Sequence, residues 1–243
     1  MAEPSKSERA FAVLRRDILD ARLAPGAALT ISSLEQRYDL GWTPLREALS
    51  RLETERLVTF SPNRGYRVAG ATAAEMEDLQ KARATVETAL LREAIRLGDD
   101  PWEQRLVAAH HSFRQTQPLR VRMPEAELSR WEQKHEAFHK ALLSGSPSIW
   151  LARFADQISD QLHRHHRNLV IARLLDSPDV VQEERHSAIL KRASNIEHHT
   201  MLMEAALARD EDRALALLAE HVGFTLHAFE ELTPLNPTAP PSR

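Results

Sequence analysis

Four histidines have the spacing of a nitrogen-ligand metal site. His135 and His139 are four residues apart within Trp131–Leu143, a stretch of helical character, so their side chains lie one above the other on a single helix face. His199 and His221 are twenty-two apart, and each stands eleven residues from Asp210 in the expected turn Arg209–Asp210–Glu211. Two antiparallel helices joined at that turn bring both imidazoles to similar height, within reach of one ion if their inner faces meet. Imidazoles suit zinc, nickel or copper. The alternative is ordinary polar lining or surface, which is the commoner meaning of two histidines four apart on a helix. His198 adjoins His199 but points about 100° away around the axis and is left out. His163, His165 and His166 receive no role.

A second set of residues suits nucleic acid. A helix in the major groove needs long donor side chains in its N-terminal half, and a wing needs basic residues for phosphate or the minor groove. Thr43 opens a helical segment, Arg46 lies in its first turn and Arg51 follows about 140° further around, so one reads bases while the other meets phosphate. Arg37 precedes them, and Arg64 and Arg67 flank a turn further on. The alternative is a solvated face in which Glu47, Glu53 and Glu55 balance these arginines.

The surrounding pattern supplies elements to position both sets. Phe11, Leu14, Ile18 and Leu19 predict a helix between Ser7 and Leu23, ended by Pro25–Gly26. A second helix fits Ile31–Tyr38. A third runs from Thr43 to Leu57, with Thr43 as its N-cap and Pro44 at its first position. Val58–Phe60, the turn Ser61–Gly65 and Tyr66–Val68 read as a strand hairpin. Three helices and a hairpin make a winged helix-turn-helix over residues 1–70, with Ala69–Thr72 as linker. Beyond it strand signals vanish. Breaks at Gly98–Pro101, Gln117–Pro118, Pro124, Gly145–Pro147, Ser177–Pro178 and Arg209–Asp210 divide residues 71–232 into six or seven helices. The stretch 233–243, with four prolines in its last ten residues, is expected to be disordered.

Composition permits this reading without compelling it. The 243 residues carry a net charge of −3, so a nucleic-acid surface must be a local patch. Cysteine is absent, which excludes disulfides and thiolate metal sites. The start MAEPSKSERA lacks the apolar core of a signal peptide, and no 18-residue apolar run occurs, so the expectation is a cytoplasmic protein with no membrane partner.

Motifs along the first third resemble the GntR superfamily of bacterial transcription regulators. Arg15–Asp20 with Leu23–Gly26 and Leu29 is similar to its first helix and turn, Thr43–Glu53 with Glu55–Val58 to its recognition helix, and Gly65–Val68 to its wing. The resemblance implies that Arg46 and Arg51 contact operator DNA. The family often carries a Ser-Arg pair before Thr-Pro, whereas here Trp42 adjoins Thr43, so the operator is expected to differ.

From Glu75 to Leu232 the chain resembles the FCD effector-binding domain of the FadR branch, an antiparallel helical bundle. The resemblance implies that His139, following Phe138, together with His199 and His221 holds a divalent metal, zinc or nickel foremost. The position of the usual acidic ligand is filled by His135, which makes the implied set four imidazoles. Neutral imidazoles leave the ion its full double charge, so an anionic effector is attracted more strongly. Arg83 matches a position from which an arginine can face the effector cavity, with an ion pair to Glu87 as its alternative. Arg164 lies in the basic run 162–167, on a helix expected to border the cavity. The turn Leu40–Arg46, Glu55–Thr59 and Trp131 with His135–His139 are similar to members of the branch that respond to glutarate. A small glutarate-like carboxylate, a homodimer and a palindromic operator follow as expectations.

Two other readings remain. Clustered histidines serve metallohydrolases, but Glu132 and Glu136 stand in no HExxH-type motif, and a DNA-binding segment has no role there. A metal-free regulator would use the same histidines as pocket lining for a sugar acid or acyl ligand.

Overall fold

The computed structural model describes residues 5–172 and 180–232; the expected break at Ser177–Pro178 and the tail from Thr233 lie outside them. The chain forms two compact units. One runs to Leu79 and includes Gln157–Leu169; the other comprises Gln80–Asp156 and the chain from Val170 onward.

In the first unit α1 (Lys6–Leu19), α2 (Ile31–Tyr38) and α3 (Trp42–Thr54) precede the hairpin β1 (Val58–Ser61) and β2 (Gly65–Val68). A capping box opens α1: the Ser5 hydroxyl accepts from the Glu8 amide, and the Glu8 carboxylate accepts from the Ser5 amide. Ala10, Leu14 and Ile18 recur every four residues and are buried in one core with Leu45, Ala48, Leu49 and Leu52 of α3 and Leu34 of α2. The strands pair antiparallel from Val58 opposite Val68 to Ser61 opposite Gly65, whose φ of +66° makes the turn a glycine position. The Gly26 amide donates to the Val68 carbonyl and the Leu29 amide to the Tyr66 carbonyl, which ties the α1–α2 connection to the wing.

Two helix limits differ from the sequence expectation. α1 stops at Leu19, six residues before Pro25, because Ala21 turns left-handed at φ 58° and the chain folds back. α3 begins at Trp42 with Gly41 as N-cap, so Thr43 lies within the first turn and makes no cap bond. Pro44 is tolerated there because first-turn amides have no partner inside the helix. The same helix ends at Thr54 and not at Leu57: Arg56 is left-handed, and the amides of Arg56 and Leu57 donate to the carbonyls of Glu53 and Leu52, a Schellman closure.

Helices then follow without strands among the described residues: α4 (Ala73–Leu97), α5 (Asp100–Arg114), α6 (Glu125–Leu143), α7 (Ile149–His165) with a π-helical continuation His166–Ile171, α8 (Val180–Ala193), α9 (Ile196–Leu207) and α10 (Glu211–Leu232). In the second unit α5 packs on α6 and α9, and α9 on α10. The Asp99 carboxylate caps α5, and the buried Trp102 indole donates to the Ala141 carbonyl of α6 at 3.1 Å. At the α9–α10 turn Arg209 is left-handed, and its guanidinium donates to the carbonyls of Ile95 and Gly98 at 2.8 and 2.9 Å. That fixes the turn to the end of α4 and sets the register of the two helices behind it. No helix among the described residues is long and apolar enough to cross a membrane.

Candidate functional site

The second unit gathers the four histidines. One ring nitrogen from each of His135, His139, His199 and His221 lies within 4.8 Å of all the others. α6 supplies the first two at i and i+4, with Nε2 atoms 3.2 Å apart. α9 and α10 supply the others, and the ring centroids of His199 and His221 are 4.7 Å apart. An aromatic collar holds them. Trp131 stacks on His135 at 4.7 Å, and Phe113 and Phe138 set their edges against His199 at 5.0 and 5.5 Å.

Electrostatics favour the neutral form of three of the four. Burial holds His139 and His221 well below the ordinary imidazole range, and neighbouring imidazoles and Arg83 add to the effect. Burial likewise lowers His199 to about 4. The His199 Nδ1–H donates to the Asn195 carbonyl at 2.8 Å, which leaves Nε2 as an unprotonated acceptor. Nε2 of His199 and Nδ1 of His139 and of His221 are buried without hydrogen-bond partners among the described residues. Orphaned buried nitrogens are costly, and four imidazole nitrogens drawn within 4.8 Å of one another are the arrangement that an ion, more than hydrogen bonds among the rings, would satisfy. The donor set therefore fits a divalent metal, and the Asn195 carbonyl is the kind of outer partner that orients a ligating imidazole.

Arg83 and Arg164 fare differently. Arg83 does form the ion pair with Glu87, at 2.8 Å, but both side chains are buried and not on a helix surface. Its charge acts on His139, His199 and His221. Arg164 belongs to the first unit and is not brought to the histidines. Fully buried, it donates to the carbonyls of Ala69 and Gly70 at 2.8 and 2.7 Å and to Gln161 Oε1 at 2.9 Å. These bonds hold the linker after the wing, where the sequence expectation was an effector contact. The same turns of α7 add Gln161 donating to the Glu55 carbonyl and His165 between Gln161 and the Glu75 carboxylate. His198, excluded by helix phase, bonds the Leu217 carbonyl at 2.9 Å.

At the DNA-reading end, Thr43, Arg46, Arg51, Arg37, Arg64 and Arg67 are all exposed. Arg46 lies over the Trp42 ring at 4.8 Å, and Arg51 over Phe11 of α1 at 3.9 Å. Arg37 shares the buried Asp17 carboxylate with the Tyr38 hydroxyl, and Arg67 donates to the Gly26 carbonyl at 2.8 Å. Four of the six thus have intramolecular contacts that spacing did not reveal: Arg46, Arg51, Arg37 and Arg67.

A three-helix unit with a hairpin wing, followed by a separate helical unit, is the architecture of a DNA-binding regulator. The chain belongs to the GntR family of bacterial regulatory proteins: that family's model matches residues 6–68, and the FCD domain matches residues 78–224. It is 35% identical to the HTH-type transcriptional repressor GlaR of Escherichia coli (strain K12), over 86% of this chain and 89% of that one. It is 33% identical to the uncharacterized HTH-type transcriptional regulator BphR of Paraburkholderia xenovorans (strain LB400), over 88% of this chain and 81% of the relative. The solved structure of E. coli McbR/YncC shares the fold, with a TM-score of 0.70 at 18% identity over 94% of this chain and 99% of that one. Both families and these relatives are transcription regulators and not enzymes, so the metallohydrolase reading falls.

Proposed function

We propose that the chain is a homodimeric repressor whose grip on a palindromic operator is set by a small carboxylate, glutarate or a close dicarboxylate, bound beside a divalent metal on His135, His139, His199 and His221. The observation that carries this reading is the trio of neutral, buried and unpartnered ring nitrogens beside the buried cation Arg83. Zinc or nickel suits an all-imidazole set, and either supplies an undiminished positive charge where a carboxylate would bind. Arg83 offers the second anchor, since a guanidinium forks onto a carboxylate when Glu87 yields its share. In this reading Arg46, Thr43 and Arg64, all exposed, meet DNA, and Arg37, Arg51 and Arg67 add positive charge around them. Two copies match a two-fold operator because one recognition helix reads only a short half-site.

The test combines metal analysis of the purified protein with calorimetric titration by dicarboxylates of two to six carbons. One equivalent of metal per chain and a carboxylate that binds only the metal-loaded protein are expected. Binding by a sugar acid or acyl thioester alone overturns the effector assignment while the regulator assignment stands.

A further inference from the structure

Trp42 is the first residue of the recognition helix α3, yet it lies outside the core that α3 builds with Leu45, Ala48, Leu49 and Leu52. It is 53% exposed, so about half of this large apolar side chain is open to another surface. One turn later the Arg46 guanidinium carbon sits 4.8 Å from its ring centroid, so indole and guanidinium form one continuous face at the N-terminal end of α3. The N-terminal residues of such a helix are the ones that meet base edges in the major groove. There an apolar surface recognises one feature, the C5-methyl of thymine, while a guanidinium recognises O6 and N7 of guanine.

We propose that Trp42 and Arg46 act as a composite reading pair, in which the indole packs on a thymine methyl and holds the guanidinium for a guanine in an adjacent base pair. This makes Trp42 a specificity-determining residue in its own right. Held against the ring, Arg46 loses less side-chain freedom on binding than a free arginine, so removing the indole harms both halves of the readout. The indole meets no phosphate, so its contribution is insensitive to salt.

The experiment uses the full-length protein and a duplex selected by it from a randomised pool. Each thymine of the selected duplex is replaced in turn by deoxyuridine, which removes the methyl alone. One position per half-site is expected to lose about fourfold in wild-type affinity, the worth of one buried methyl group. Trp42→Ala is expected to bind the unmodified duplex at least that much more weakly, to be indifferent to deoxyuridine at that position, and to keep the wild-type dependence on salt. Trp42→Phe is expected to retain discrimination. A Trp42→Ala protein that binds as tightly as wild type, or still distinguishes thymine from deoxyuridine there, overturns the proposal. So does a selected duplex with no thymine whose methyl matters.

Discussion

The Nδ1–H of His199 donates to the main-chain carbonyl of Asn195 at 2.8 Å, and Asn195 is itself the N-cap of the helix that carries the histidine. The bond fixes the tautomer, so Nε2 is a bare, buried lone pair. His221 reaches the same point from α10 by way of the Arg209 turn. Replacing either with alanine is expected to strip bound metal and abolish the effector response, while operator affinity stays near wild type because the first unit has its own core. Metal content, calorimetry and retardation of an operator fragment check the three parts separately. A His199→Ala protein with a full complement of metal and a normal response returns these residues to polar lining.

Acid should destabilise the metal-free protein in a defined window. His199 titrates near 4 in the folded state against 6.5 ordinarily, and His139 and His221 are also lowered. Between those values the unfolded chain binds more protons than the folded one, so stability rises with pH through the window and is lost as pH falls from 6.5 toward 4. Above 6.5 this contribution is complete. Urea unfolding in chelator at pH 7.5 and pH 5, for the wild type and for His221→Ala, measures it; the loss on acidification should be smaller in the variant. Equal losses in both would remove His221 from the account.

The histidine cluster was legible in the sequence because both of its spacings are local: four residues along one helix, and equal arms about one turn. Periodic apolar residues likewise located α4 closely, and the strand–turn–strand pattern located the wing. What sequence missed depends on partners far along the chain. Nothing in the run 162–167 says that Arg164 turns to carbonyls 94 and 95 residues earlier, or that Arg67 bonds Gly26 across the wing. The N-cap of α3 was misplaced because Thr43 is a good cap by type, whereas the helix already begins at Trp42 and the extended Gly41 stands before it. The helix ends at Leu19 and Thr54 depend on alanine and arginine in left-handed conformations, for which those residue types give no signal.

Arg164 offers a test of the linker clasp. Truncation to alanine leaves the buried Ala69 carbonyl without its donor and is expected to destabilise the first unit by about 1–3 kcal/mol. Arg164→Lys keeps a charge but not the fork that reaches Ala69, Gly70 and Gln161 together, so it should recover only part of the loss. Urea unfolding gives the magnitude. Because Arg164 does not touch the histidines, affinity for metal should be unchanged, and a variant that loses metal without losing stability contradicts the assignment.

Arg46→Ala should weaken specific operator binding by about 1–3 kcal/mol if the guanidinium makes a bidentate base contact. Arg51→Ala and Arg37→Ala should cost less, since their guanidinium groups are engaged with Phe11 and Asp17. Binding by the wild type should also fall steeply with salt as phosphate contacts release counterions. Titration of labelled duplex at several salt concentrations separates the effects: a base contact changes affinity at constant slope, whereas a phosphate contact changes the slope. Undiminished affinity in Arg46→Ala takes that residue off the reading surface.

His135→Asp addresses the charge of the site without dismantling it. His135 is the least buried of the four and stacks on Trp131. A carboxylate there still offers a ligand atom, so metal content is expected to hold near one equivalent. It also cancels one unit of the ion's charge, which His135→Asn does not. An anionic effector should therefore bind the Asp protein more weakly than wild type, with the Asn protein as the control for lost imidazole and lost stacking on Trp131. If Asp and Asn weaken the carboxylate equally, the charge of the ligand set is not what draws the effector, and Arg83 becomes the main anchor. If Asp alone weakens it, the four-imidazole set is a device for attracting an anion, and raising the salt concentration should narrow the difference between the two variants.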